Sequence, residues 1–132
     1  MEENFLEQVS NHLEFLGYDV SCDEEDKVYR AVHPFRNNFL FWKYRGGVLL
    51  TSIYRATEAA QEELEGYLSA INTLNQEASV CRFLADKEND LRFEAWYPAR
   101  YDKTSFGIFM DSWQEDTDLL RKHSERLADF LE

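Results

Sequence analysis

The sequence has little of what disulfide-rich, membrane-spanning or metal-binding proteins depend on. Only two cysteines, two prolines and three histidines occur among its 132 residues. Two cysteines are too few for a disulfide framework. No run of about 18 apolar residues occurs, which excludes a transmembrane helix. No positively charged start followed by an apolar segment precedes the first predicted helix, so we expect a cytoplasmic, reduced protein.

Basic residues are also scarce. Fourteen Lys and Arg stand against 26 Asp and Glu, which gives a formal net charge of -12. A chain of this charge is repelled by a phosphate backbone and by an anionic membrane surface. We therefore expect neither nucleic acid nor membrane among its partners.

The groups that carry catalysis are few and scattered. His12, His33 and His123 show no metal-binding spacing with each other or with a cysteine. Cys22 lies in an acidic stretch that disfavours a thiolate, and Cys81 lies within a predicted strand as a small buried apolar residue. The sequence therefore predicts no catalytic, cofactor or metal site, and a protein that is not an enzyme.

Apolar and aromatic residues, by contrast, are plentiful. They make up 44% and 15% of the chain, enough to fill a core without metals or disulfides. No internal repeat or linker interrupts the pattern. The sequence predicts one domain over residues 1–132.

The periodicity of the apolar residues predicts an α+β domain in the order α-β-β-β-α-β-β-α. Helices are predicted over about 3–16, from Thr57 to about 74, and from Thr104 or Ser105 to about 131. Strands are predicted over 27–33, 38–44, 48–54, 79–85 and 91–97, with 21–26 as an acidic turn. Short connections favour antiparallel neighbours, so we expect a five-stranded, mostly antiparallel sheet packed with helices.

Side-chain parity separates the two faces of the predicted sheet. In the last strand, apolar residues at 91, 93, 95 and 97 alternate with Arg92, Glu94 and Trp96. In the second and third strands both parities are apolar, so each face of the sheet needs a cover. Helices of the same chain, a second subunit or a bound segment of another protein would each meet that need.

The aromatic residues on and beside these strands are the candidate anchors for a partner. They are Phe39, Phe41, Trp42, Tyr44, Tyr54 and Trp96, and each is alternatively a core residue. The last helix also carries Asp111, Glu115 and Asp118 on one face, which could receive a basic partner or remain in solvent. Its apolar seam is predicted to be core or a dimer interface.

Three short segments carry a resemblance to a known family. These are Ala70-Ile71-Asn72-Thr73-Leu74-Asn75-Gln76-Glu77, then Cys81-Arg82-Phe83, and Asp90-Leu91-Arg92-Phe93-Glu94-Ala95. With the long last helix, they resemble the YbjN-like family, which is similar in fold to type III secretion chaperones. The resemblance implies a small acidic dimer that holds an extended client segment on sheet and helix surfaces.

We therefore expect a non-enzymatic, chaperone-like or regulatory protein-binding module that forms a homodimer. Two alternatives stay open. One is an acidic regulatory or immunity-type protein that binds a folded basic partner through its carboxylates, and the other is a structural homodimer without a client. An apolar interface should survive salt that removes exposed charge pairing.

Overall fold

The computed structural model describes residues 2–98 and 100–132, and strands and helices fill most of them. The helices are α1 (Glu2–Phe15), α2 (Glu58–Glu62), α3 (Leu64–Glu77), α4 (Lys103–Lys122) and α5 (Ser124–Leu127). The strands are β1 (Asp19–Asp23), β2 (Val28–Val32), β3 (Phe39–Tyr44), β4 (Gly47–Tyr54), β5 (Arg82–Ala85) and β6 (Leu91–Tyr97). The predicted α+β class is confirmed.

All of these strands belong to one antiparallel sheet, in the order β1-β2-β3-β4-β6-β5. The sheet has six strands, so the prediction of five was wrong. The missed strand is β1, which pairs with β2 from Asp19 opposite Val32 to Asp23 opposite Val28. Val20 and Cys22 alternate in β1 with acidic and polar residues, so the apolar alternation typical of a strand is weak there. The predicted acidic turn over 21–26 is therefore too long, because the turn begins only after Asp23.

The helices pack on one face of the sheet, where the core lies. Trp113 of α4 is 1% exposed and contacts the rings of Phe39 on β3 and Phe93 on β6, at centroid distances of 5.3 and 5.6 Å. The seam of α4 that the sequence left as core or dimer interface is core, since Phe106, Trp113 and their neighbours along it are buried.

The helix ends differ from the prediction in two respects. The second helix is broken at Glu63 into α2 and α3, and the last is broken at His123 into α4 and α5. Thr57 occupies the N-cap position of α2 as predicted, but its hydroxyl does not cap the helix. It donates instead to the Asp129 backbone carbonyl, just after α5. Asp102 caps α4, where its carboxylate accepts from the Ser105 N–H at 2.8 Å.

A buried carboxylate shortens β5. Asp116 of α4, 2% exposed, accepts the backbone N–H groups of Ser79, Val80 and Cys81 at 2.7–3.0 Å. Those residues were predicted to begin a strand at Ser79. Because their N–H groups point at α4, the strand begins only at Arg82.

Among the described residues, no helix combines the length and the apolar character that crossing a membrane requires.

Candidate partner-binding surface

The face of the sheet away from the helices carries a connected set of apolar side chains. We call it the open sheet face. Strand parity and register place there Val28, Leu40, Trp42, Tyr44, Leu49, Thr51, Ile53, Leu84 and Trp96, with Arg30, Arg82, Arg92 and Glu94. The face extends over β2, β3, β4, β6 and β5, and no backbone segment in the described part of the chain is hydrogen-bonded across it.

The centre of the open sheet face is a row of large side chains on adjacent strands. Trp42 pairs with Leu49, and Leu49 pairs with Trp96, so these residues lie side by side on β3, β4 and β6. Trp96 is 43% exposed, and its indole N–H donates to the Tyr44 carbonyl at 2.8 Å. That hydrogen bond satisfies the one polar group of the indole and fixes its orientation, leaving the ring available for contact.

Three of the four charged residues, Arg82, Arg92 and Glu94, lie on β5 and β6 and are paired locally, and the fourth, Arg30, lies on β2. Arg82 forms an ion pair with Glu94 on the neighbouring strand. Arg92 lies 3.7 Å from the carboxylate of Asp86 and donates to the Thr51 hydroxyl at 3.4 Å. The face therefore has an apolar centre with a partly neutralised charged border, the arrangement found at protein interfaces.

The helices leave this face uncovered because their contacts go to the opposite face. Aromatic contacts join α4 to Phe39, Phe93 and Tyr97, all on the helix-covered parity. On the open parity, Leu40 is 40% exposed and Ile53 47% exposed. Side chains of this size and number are seldom left to solvent together unless they meet a partner.

The structure divides the six predicted aromatic anchors into two groups. Trp42, Tyr44 and Trp96 lie on the open sheet face, where a partner could reach them. Phe39 and Phe41 are 3% and 0% exposed on the helix-covered side, so assigning them as surface anchors was wrong.

Tyr54 does not lie on the open sheet face, because it shares the helix-covered parity; it is half-buried beside a cavity, and its use by a partner stays a prediction. Its ring stacks on Phe93, its hydroxyl donates to the Asn37 side chain, and burial raises its pKa. The prediction missed Leu40, Leu49 and Ile53. Their alternation with the core residues of β3 and β4 was the signal that could have found them.

The predicted acidic face is exposed. Asp111, Glu115 and Asp118 all lie in solvent on the side of α4 away from the sheet, and the Gln114 amide donates to Asp118 at 3.2 Å. Their availability to a basic partner stays a prediction. The structure assigns their neighbour Asp116 a different role, because that side chain is buried beneath residues 79–81.

The remaining reactive groups lie in unreactive surroundings. Burial, reinforced by the nearby Asp116 carboxylate, raises the pKa of the Cys81 thiol. The His12 Nδ1 atom forms a hydrogen bond with the Tyr101 hydroxyl at 2.9 Å. Burial lowers the pKa of His12. In the described ranges, no group of three or more His, Cys, Asp or Glu side chains could hold a metal ion. The expectation that the chain is not an enzyme stays a prediction.

Comparisons with known proteins give one informative result. No protein-family model matches the chain, and no curated protein matches it by sequence. Among solved structures, the chain is similar to the crystal structure of YbjN, a candidate transcription regulator from E. coli, with a TM-score of 0.69. The alignment covers 96% of this chain and 94% of YbjN at 11% identity.

Identity this low speaks to the architecture and leaves the activity open. The two chains align over nearly their whole lengths, so the likeness extends to the full α+β arrangement and is not confined to a shared hairpin. The resemblance predicted from the three segments between Ala70 and Ala95 is confirmed at that level: this chain has the fold of YbjN.

Proposed function

We propose that this protein is a non-enzymatic binding module that docks a protein partner on its open sheet face. The observation that carries the proposal is the Trp42, Leu49 and Trp96 row, which lies on the one face of the sheet that the helices leave uncovered. YbjN, the structural neighbour, is described as a candidate transcription regulator, which agrees with a regulatory role exerted through binding.

The chemistry of the face favours an apolar contact over a purely electrostatic one. Tryptophan and tyrosine are the residues that most often dominate interface energies, and they do so best when surrounded by groups that exclude water. Here Leu40 lies next to the Trp42, Leu49 and Trp96 row and Ile53 lies one row further along β4, while Arg82 and Glu94 neutralise each other at one side. Burying this centre requires little uncompensated charge to be desolvated.

Two occupants of the face fit this chemistry, a second copy of the chain or a segment of a different protein. The acidic face of α4 supports a weaker alternative, in which Asp111, Glu115 and Asp118 receive a folded basic partner. The two classes respond differently to salt. Docking on the open sheet face should persist in about 0.5 M salt, whereas exposed charge pairing should largely disappear.

The experiment compares the wild-type protein with the Trp42→Ala/Ile53→Ser variant and with Asp111→Asn/Asp118→Asn as the matched control. Light scattering reports whether the wild type exceeds its 15.7 kDa monomer mass. Quantitative co-purification reports partners. We expect the Trp42→Ala/Ile53→Ser variant to lose association while its melting temperature stays nearly unchanged. The acidic-face control should keep the association of the wild type. Equal behaviour of all three proteins in both assays would refute docking on the open sheet face.

A further inference from the structure

The two edges of the sheet are treated differently by the fold. The outer edge of β5 is closed by Asn75 at the end of α3. The Asn75 side-chain amide donates to the Phe83 carbonyl at 2.9 Å and accepts the Phe83 N–H at 2.8 Å. A single amide therefore makes the pair of hydrogen bonds that a neighbouring strand would make. Asp116 takes the N–H groups just before β5, so no peptide strand can be added there without displacing both side chains.

The opposite edge, β1, has no such cover. Apart from its pairing with β2, the backbone of residues 19–23 makes no backbone hydrogen bond in the described part of the chain. Asp19, Ser21, Cys22 and Asp23 are all exposed. An edge strand of this kind presents alternate N–H and C=O groups that another strand can pair with.

A cleft of about 1010 Å³ runs beside this edge, between α1 and the β1–β2 hairpin. Apolar side chains line it, among them Leu6, Val20 and Tyr29, and it extends to Leu40 and Trp42 of β3. Ser10 also lines it, and the Ser10 hydroxyl is buried without a hydrogen-bond partner among the described residues. An unsatisfied buried hydroxyl at an unfilled cleft is a group that a bound peptide could satisfy.

The charge of the cleft is mainly negative. Its lining contains four carboxylates against two lysines; the carboxylates are Glu7, Glu14, Glu24 and Asp26, and the lysines are Lys27 and Lys43. Asp19 and Asp23 add two more along the strand itself. A segment that carries positive charge is therefore favoured at this edge over an acidic or neutral one.

We propose that the free edge of β1 accepts an extended segment of a partner protein in which apolar residues alternate with lysine or arginine. The alternation follows from the parity of β1. Val20 and Cys22 face the cleft, while Asp19 and Asp23 face the other side of the sheet. An added strand sends its own alternate side chains to the same two sides, so its apolar residues enter the cleft and its basic residues meet the aspartates. The cleft adjoins the open sheet face at Leu40 and Trp42. The added strand pairs with the backbone of β1, so the proposal does not depend on docking at the Leu49 and Trp96 part of that face.

The test uses a ten-residue synthetic peptide of alternating lysine and valine, with amide hydrogen exchange and chemical-shift mapping on the intact chain. Binding should slow exchange at alternate amides within 19–23 and leave 82–85 unchanged. Two further peptides are N-methylated, one at every lysine and the other at every valine. Strand pairing uses only one of the two sets of N–H groups, so one methylated peptide should lose binding and the other should keep it. Equal binding by both would mean electrostatic attraction alone and would overturn the proposal.

Charge is tested separately with the Asp19→Asn/Asp23→Asn variant. Its affinity for the peptide should fall by about threefold to tenfold, as expected for the loss of two exposed ion pairs. The Asp111→Asn/Asp118→Asn control, which removes the same charge from α4, should bind almost as the wild type does. Shifts confined to Leu49, Ile53 and Trp96, with none at residues 19–23, would place the peptide on the open sheet face instead, because Trp42 also lines the cleft. Such shifts would reject binding at the β1 edge. Slowed exchange at 82–85 would reject it as well, and so would the absence of binding at about 1 mM peptide.

Discussion

Replacing Asp116 with alanine tests the most heavily used side chain in the helix–sheet junction. Its carboxylate accepts three backbone N–H groups, and each unpaired buried donor costs about 1–3 kcal/mol. Of the three residues, Cys81 is buried, Val80 is half-buried and Ser79 is exposed, so water can rescue part of the loss. We therefore expect Asp116→Ala to lower the free energy of unfolding by about 4 kcal/mol, a large share of the 5–15 kcal/mol usual for a domain.

The assay is urea unfolding followed by tryptophan fluorescence. With a slope of about 2 kcal/mol per molar, a loss of 4 kcal/mol moves the midpoint by about 2 M. Asp111→Ala, on the exposed face of the same helix, is the matched control and should change stability by less than about 0.5 kcal/mol. Alkylation of Cys81 gives a local readout, since its thiol should react faster once residues 79–81 are released. Equal midpoints for the two variants would show that the carboxylate does not hold this segment.

Three further predictions concern the backbone, pH and the closed sheet edge. Gly47→Ala should destabilise the protein far more than Gly46→Ala, because a Cβ on Gly47 would lie 2.0 Å from the Tyr97 carbonyl oxygen on β6. A Cβ on Gly46 would meet open space, so that substitution costs only its unfavourable positive φ, about 1 kcal/mol. Thermal unfolding of the two variants measures the difference. Burial lowers the pKa of His12, so the unfolded chain binds the proton more readily than the folded one. The free energy of unfolding should therefore fall as the pH drops below about 6.5. His12→Gln should reduce this dependence of stability on pH. Asn75→Ala should uncover the β5 edge and increase concentration-dependent light scattering, while Asn72→Ala should not.

The sequence predicted the two-sided character of the sheet but could not decide which side the helices cover. On β3, Phe39 and Phe41 alternate with Trp42 and Tyr44, and both sets are aromatic. Parity separates such sets without ranking them. Only the tertiary contact of Phe39 with Trp113 shows which set became core, and that contact joins residues far apart in sequence. On β6 the polar residues Arg92 and Glu94 mark the open side, and there the prediction of alternating burial was confirmed.

Asp116 shows a second limit of sequence reasoning. In the sequence it stands among the acidic residues Asp111, Glu115 and Asp118 of the last helix, whose spacing is typical of an exposed face. Asp116 lies three residues after Trp113 and three before Leu119, on the apolar stripe, and this position was the available signal. The groups that it binds lie about 35 residues earlier, and no local pattern indicates where those N–H groups will be placed. A carboxylate on the buried stripe of a helix therefore needs a hydrogen-bond donor, and the tertiary structure is required to show which donor that is.

The net charge of the chain gives opposite salt dependences to the occupants considered for its two surfaces. Two copies that meet on their open sheet faces bring together chains of charge -12 each, so salt should strengthen that association by screening their repulsion. A basic segment on the β1 edge is attracted by Asp19, Asp23 and the cleft carboxylates, so salt should weaken its binding. An apolar segment of a near-neutral partner on the Trp42 and Trp96 surface should respond to salt in neither direction. The sign of the salt dependence, measured between about 0.05 and 0.5 M, therefore identifies the class of occupant before its identity is known.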